Sequence, residues 1–123
     1  MKSYLDKFSL KNKVAFVAGG AGLLGSETAK ALSDAGARVV ILDINREAGD
    51  KVVQKLKNKK AAFENFDVTD LDVADRAIEG LQKKYNRIDI FVNASYPRTS
   101  DWGKRVEDLS IDSWRKNVDM HLN

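Results

Sequence analysis

The sequence predicts a three-layer α/β domain built on a doubly wound parallel sheet, and three observations carry that expectation. Short apolar runs rich in β-branched residues alternate with segments of helical periodicity. The strand runs are continuously apolar, as in strands buried on both faces. Four glycines fall between positions 19 and 25, where the first strand run gives way to the first helical one. At 123 residues the chain suits one domain, taken as 1–123.

Taken in order, Lys13 to Ala18 is an apolar run that stops at glycine and reads as a strand. Leu24, Thr28, Ala31, Leu32 and Ala35 recur at helical spacing, with Gly36 as the stop. Arg38 to Asp43 is a second buried-strand run. Ala48, Val52, Val53 and Leu56 mark a second helix. Ala61 to Asp67 reads as a third strand, and Ala74, Ala77, Ile78, Leu81 and Tyr85 share one face of a third helix. Ile88 to Asn93 is a fourth strand. A polar loop with the only proline, Pro97, leads to a last apolar stripe at Ile111, Trp114, Val118 and Leu122, with Asp108 and Ser110 as cap candidates. Right-handed crossovers leave few topologies for this order. The expected strand order is 3-2-1-4, with the flavodoxin-like 2-1-3-4 as the alternative.

Composition narrows the chemistry. Hydrophobic residues make up 43% and charged residues 32%, which fits a packed interior and argues against disorder. Cysteine is absent and there is one histidine, so thiolate and multi-histidine metal sites are excluded and no metal is expected. The net charge of +3 is spread out. Its densest part, Lys51 to Lys60, has no interleaved aromatics and reads as a solvated helix face, so no nucleic-acid partner is expected. No apolar run approaches the ~20 residues that span a bilayer, and the first residues lack a leader's apolar stretch. The expectation is a cytoplasmic protein with no membrane partner.

Gly19, Gly22 and Gly25 are spaced G-x-x-G-x-x-G. In a strand-to-helix turn the first glycine permits the tight bend. The second lets backbone approach a pyrophosphate, and the third lets helix and sheet pack closely. The helix N-terminus adds unpaired N–H groups and the positive end of a dipole. Asp43 closes the second strand 18 residues beyond Gly25, near the ~20 expected of an acid that binds an adenosine ribose. It also fits a turn or cap residue. A carboxylate there repels a 2′-phosphate, so NAD is favoured over NADP, while Arg46 nearby softens that preference.

With these residues in place, the chain resembles the short-chain dehydrogenase/reductase family over nearly its whole length. The implied fold is Rossmann-like, truncated relative to the family. Ala18 to Gly25 resembles the family's glycine-rich loop, with Ala18 where threonine is usual, and Leu23 and Leu24 belong to the implied cofactor loop. The glycine spacing resembles the family's extended branch, while the short loops elsewhere resemble its compact branch. Asp67 and Val68 stand where the family holds the adenine ring; Asp67 and Asp70 serve equally as caps for the next helix. Asp89 to Tyr96 resembles the fourth-strand motif. Asn93 is kept, and Ala94, Ser95 and Tyr96 replace the usual Asn-Ala-Gly. Tyr96-Pro97-Arg98 resembles a bacterial subgroup linked to flagellin glycosylation.

Counted from Trp114, His121 takes the position of the family's catalytic helix asparagine, flanked by Asn117 and Asn123. It is equally a helical histidine with no catalytic duty. The family's chemistry also needs a serine on the next strand and a Tyr-x-x-x-Lys pair. Tyr4, Tyr85 and Tyr96 are followed four residues later by Phe8, Asp89 and Ser100, so the pair is absent. The resemblance thus implies the NAD(P)-binding half of an oxidoreductase with no complete catalytic set. A truncated gene, an expressed fragment and a repurposed binding module all fit. The alternative function is a non-catalytic nucleotide-binding or self-assembling module; an FMN-binding fold is disfavoured by Asp43. An uncovered fourth strand implies a homo-oligomer.

Overall fold

Strand β1 (Val14–Ala18) is buried along its whole length and forms the centre of the sheet. The computed structural model describes residues 3–122. A 3-10 turn (Tyr4–Phe8) precedes β1. The chain then runs α1 (Leu23–Asp34), β2 (Arg38–Asp43), α2 (Arg46–Lys55), β3 (Ala62–Asn65), α3 (Leu71–Tyr85), β4 (Ile90–Asn93), a second 3-10 turn (Val106–Asp108) and α4 (Ile111–Leu122). The two 3-10 turns had no periodic signal in the sequence.

The four strands are parallel in the order β3-β2-β1-β4, the first of the two expected topologies. Val17 pairs with Ile41 on one side and Val92 on the other. Residues of alternate parity feed two cores. Val14, Phe16, Ala18, Val40 and Leu42 pack beneath α3 with Phe66, Leu81 and Tyr85. Ala15, Val17, Val39 and Ile41 pack beneath α1 and α2 with Ala29, Ala37 and Leu56.

Side chains set several boundaries. Asn45 caps α2 through the Ala48 N–H at 3.0 Å, Asp70 caps α3 through the Val73 N–H, and Ser110 accepts the Ser113 N–H at 3.0 Å at the start of α4. Strand β3 is shorter than expected, because Phe66 turns into the core and Asp67 begins a turn. Strand β4 starts two residues late. Asp89 instead spends its carboxylate on the Val14 N–H at 2.8 Å and on Arg87.

Two helix faces differ from expectation. The buried line of α1 is Gly25, Ala29 and Ser33, and Leu24 and Ala31 face outward. Small residues win this face because the helix lies close against the sheet. The apolar stripe of α4 is exposed at Ile111, Trp114, Val118 and Leu122, and the helix's buried residue is Asn117. Helix α4 covers neither sheet core, so the stripe signals amphipathicity without burial.

Candidate cofactor site

The strand order reverses at β1. From β1 the chain builds outward through β2 and β3, then crosses to β4 on the opposite side. In open α/β sheets the crevice at the carboxyl ends of such a strand pair is where ligands sit. The expected site residues lie along that edge. Gly19, Gly22, Leu23, Leu24 and Gly25 follow β1, Asp43 ends β2, Asp67 and Val68 follow β3, and Asn93, Ala94 and Ser95 end and follow β4.

Gly19 turns the chain with φ +69°, a left-handed conformation that favours glycine. A Cβ there would lie 2.7 Å from the backbone of Ala94 and Ser95. The loops after β1 and β4 therefore touch main chain to main chain, joined by the Ala94 N–H to Ala18 carbonyl bond at 2.9 Å, while the Gly19 N–H to Leu42 carbonyl bond at 2.8 Å ties the turn to β2. Gly22 opens α1 as its N-cap, and no side chain among the described residues caps the helix. The first-turn N–H groups have no intrahelical acceptor. Leu23 and Leu24 are 85% and 76% exposed, so neither folds back over the helix start.

Asp43 ties this loop to the second strand. One carboxylate oxygen accepts the Ala21 N–H at 3.0 Å and the other accepts the Asn45 N–H at 3.0 Å. A carboxylate offers about four lone-pair directions, so acceptor capacity remains on both oxygens. The Ala21 contact was invisible in the sequence because its donor is a backbone N–H that any residue would supply. Arg46 lies over the Phe63 ring, 4.9 Å from its centroid.

Asp67 accepts both the hydroxyl and the N–H of Thr69, at 2.7 and 2.9 Å, and the Thr69 hydroxyl holds its carboxyl below the usual aspartate range. Asp70, not Asp67, is the cap of α3. The side chain of Val68 packs on the α3 core, which leaves its backbone for any ligand. Asn93 accepts the Ser95 N–H at 3.1 Å. The Ser95 hydroxyl is buried with no hydrogen-bond partner among the described residues, beside the Gly19 turn. An unmatched buried hydroxyl and an uncapped helix start at one edge are what a phosphate- and ribose-bearing cofactor would satisfy. The residues present fit such a group.

His121 stands apart from this set. Its Nε2 is 2.7 Å from the Pro97 carbonyl oxygen, and its ring stacks on Tyr96. Asn117, one helical turn earlier, is 6% exposed and bonds to Thr99 through both ends of its amide. The Asn117–Thr99 link was missed in the sequence, where Asn117 stood out only as a neighbour of the His121 position. Asn123 lies outside the described residues. Among the described residues no cluster of acidic or histidine side chains is arranged to hold a metal ion.

Known proteins share this chain's sequence pattern and fold. The family model for short chain dehydrogenases matches residues 13–123, and the chain belongs to that family. It is 38% identical over 123 residues to a sorbose reductase of Candida albicans, covering 97% of this chain and 43% of that protein. It is 32% identical to the post-translational flagellin modification protein A of Campylobacter coli, over 92% of this chain and 46% of that one. Among solved structures, the Pseudomonas aeruginosa RhlG/NADP active-site complex superposes with a TM-score of 0.77 at 29% identity, over 99% of this chain and 46% of that one. The chain thus spans about half the length of the relatives it matches. The family takes a nicotinamide cofactor, NAD or NADP.

Proposed function

We propose that this chain is the NAD-binding half of a short-chain dehydrogenase/reductase whose whole form interconverts an alcohol and a carbonyl. The observation that carries the reading is the backbone contact of the Gly19 turn with Ala94 and Ser95, beside an uncapped α1. The pyrophosphate would lie over Gly19, Gly22 and the first turn of α1, with Leu23, Leu24 and Gly25 supplying backbone. Asp43 would accept from the adenosine ribose, Asp67 and the Val68 N–H would meet the adenine, and Asn93, Ala94 and Ser95 would line the second ribose.

NAD is preferred over NADP in this reading. The Asp43 carboxylate would face the ribose and repel a 2′-phosphate, while Arg46 is drawn over Phe63. When bound, the nicotinamide ring supplies the hydride. These 123 residues hold no Tyr-x-x-x-Lys pair, so this stretch alone binds cofactor without turning over substrate. The sorbose reductase among the relatives supports a polyol or ketose as substrate class. The reading also includes a homo-oligomer and a cytoplasmic location. No helix among the described residues is long and apolar enough to cross a membrane.

Titration with NADH and NADPH, followed by calorimetry, tests the proposal. NADH should bind at least about tenfold more tightly than NADPH, a difference of about 1.4 kcal/mol. Failure of both to bind at millimolar concentration would overturn the cofactor reading, and tighter NADPH binding would overturn the preference. The second reading, a self-assembling module without a ligand, is favoured by the exposed apolar stripe of α4 and predicts no binding.

A further inference from the structure

Past Ser95 the chain enters a loop whose side chains the cofactor reading does not use. Tyr96 stacks on the His121 imidazole with centroids 4.4 Å apart and ring planes at 30°, and it meets Trp102 edge-on at 5.6 Å. Tyr96 is 55% exposed and Trp102 is 38% exposed. Three aromatic rings thus share one cluster while keeping much of their surface open.

The loop beneath them is pinned. Asn117 donates to the Thr99 hydroxyl at 2.7 Å and to the Ser113 carbonyl at 2.8 Å, and accepts the Thr99 N–H at 3.1 Å. One turn further along α4, His121 Nε2 donates to the Pro97 carbonyl, which can only accept. The Thr99 hydroxyl in turn donates to Asp101 at 2.6 Å. These bonds fix the aromatic group before any ligand arrives, so little ordering cost remains at binding.

We infer that Tyr96 and Trp102, on a loop clamped by Asn117 and His121, form a binding platform for the carbon face of a polyol or ketose. The inference deepens the proposed function and rests on it for the substrate class. The face of an aromatic ring carries negative potential, and the polarised C–H groups of a sugar present a positive one. Hydroxyl groups at the rim of such a ligand need acceptors. Asp101 offers them: bonds from Thr99 and Ser113 hold its carboxyl below the usual aspartate range, so it stays an anion. The platform follows directly on Ser95, which touches the Gly19 turn, so it stands at the ligand end of the sheet.

The test is saturation-transfer NMR with L-sorbose and D-mannitol as probes, irradiating aromatic protons, with and without saturating NADH. Wild-type protein should pass saturation to the carbon-bound protons of at least one probe. Tyr96→Ala should cut that transfer at least fivefold, Tyr96→Phe should keep it, and Trp102→Ala should reduce it. Trp114→Ala, which removes the exposed indole of α4, should leave it unchanged. No transfer in wild type, or undiminished transfer in a folded Tyr96→Ala protein, overturns the platform. The NADH titration of the same samples separates the two readings. NADH binding without sugar transfer sinks the platform alone, sugar transfer without NADH binding sinks the cofactor reading alone, and loss of both sinks both.

Discussion

A Cβ placed on Gly25 would lie 2.1 Å from the carbonyl oxygen of Gly19. The first full turn of α1 therefore rests directly on the turn that leaves β1. Backbone cannot yield there as a flexible side chain would. Gly25→Ala should destabilise the fold by about 3 kcal/mol, at the upper end of overpacking effects. Urea unfolding checks this, and a loss under about 1 kcal/mol would mean that α1 slides freely over the turn.

Asp43 holds the same loop from the other side. Both of its oxygens bind backbone N–H groups, Ala21 and Asn45, so its removal has a structural and a binding consequence. Asp43→Ala should lower stability by about 1–2 kcal/mol and weaken NADH binding at least about tenfold. Asp43→Asn removes the negative charge but keeps one acceptor oxygen. It should narrow the gap between NADH and NADPH by weakening the repulsion of the 2′-phosphate. Calorimetric titration of both cofactors reads the gap, and an unchanged ratio would remove Asp43 from the ribose site.

The split between what the sequence disclosed and what it hid has physical causes. Strand order and element order were legible, because short β-branched apolar runs such as Val39 to Leu42, alternating with helical segments, read as buried parallel strands, and glycine spacing marks a turn type. The buried line of α1 was misread by one position. Leu24 has the greater apolarity, but only Gly25, Ala29 and Ser33 are small enough for the close packing. Helix α4 carried a strong apolar period and yet buries Asn117, since periodicity reports which residues share a face and not what covers it. The Ala21 N–H and the Thr99 backbone act without side-chain identity, so no residue pattern could point to them.

Glu64 on β3 gives a pH signature. Burial alone would push its carboxyl up, yet hydrogen bonds from Lys84 at 2.5 Å and Tyr85 at 2.6 Å hold it below the usual glutamate range. The same burial and the same bond push the Tyr85 hydroxyl well above the ordinary tyrosine range, so it remains a donor. A carboxylate with a depressed native pKa adds stability that is whole above its unfolded pKa and lost as pH falls through the native one. Glu64→Gln should cost about 1 kcal/mol near neutral pH, a modest value because Lys84 is largely exposed. The gap between wild type and variant should close in acid, as the pH falls below the ordinary glutamate range and through the depressed native pKa. Urea unfolding at both pH values checks this, and a gap that persists in acid would assign the effect to packing instead of charge.

Among the described residues strand β4 pairs with β1 alone, so its outer edge there presents unpaired backbone groups. Phe91 lies on this strand, 50% exposed, on the face away from Ile90 and Val92, which pack with the α1–α2 core. An apolar side chain beside an open parallel edge is a template for a second strand. Wild-type protein should therefore sediment as a dimer or larger species at micromolar concentration. Phe91→Lys should shift it toward monomer, since a charge on an edge strand opposes pairing. Trp114→Lys places the same charge on the exposed stripe of α4 and separates the two surfaces. If only Trp114→Lys dissociates the assembly, the helix face and not the strand edge joins the copies. A wild-type monomer at all concentrations would mean that neither surface does, and that solvent alone covers Phe91.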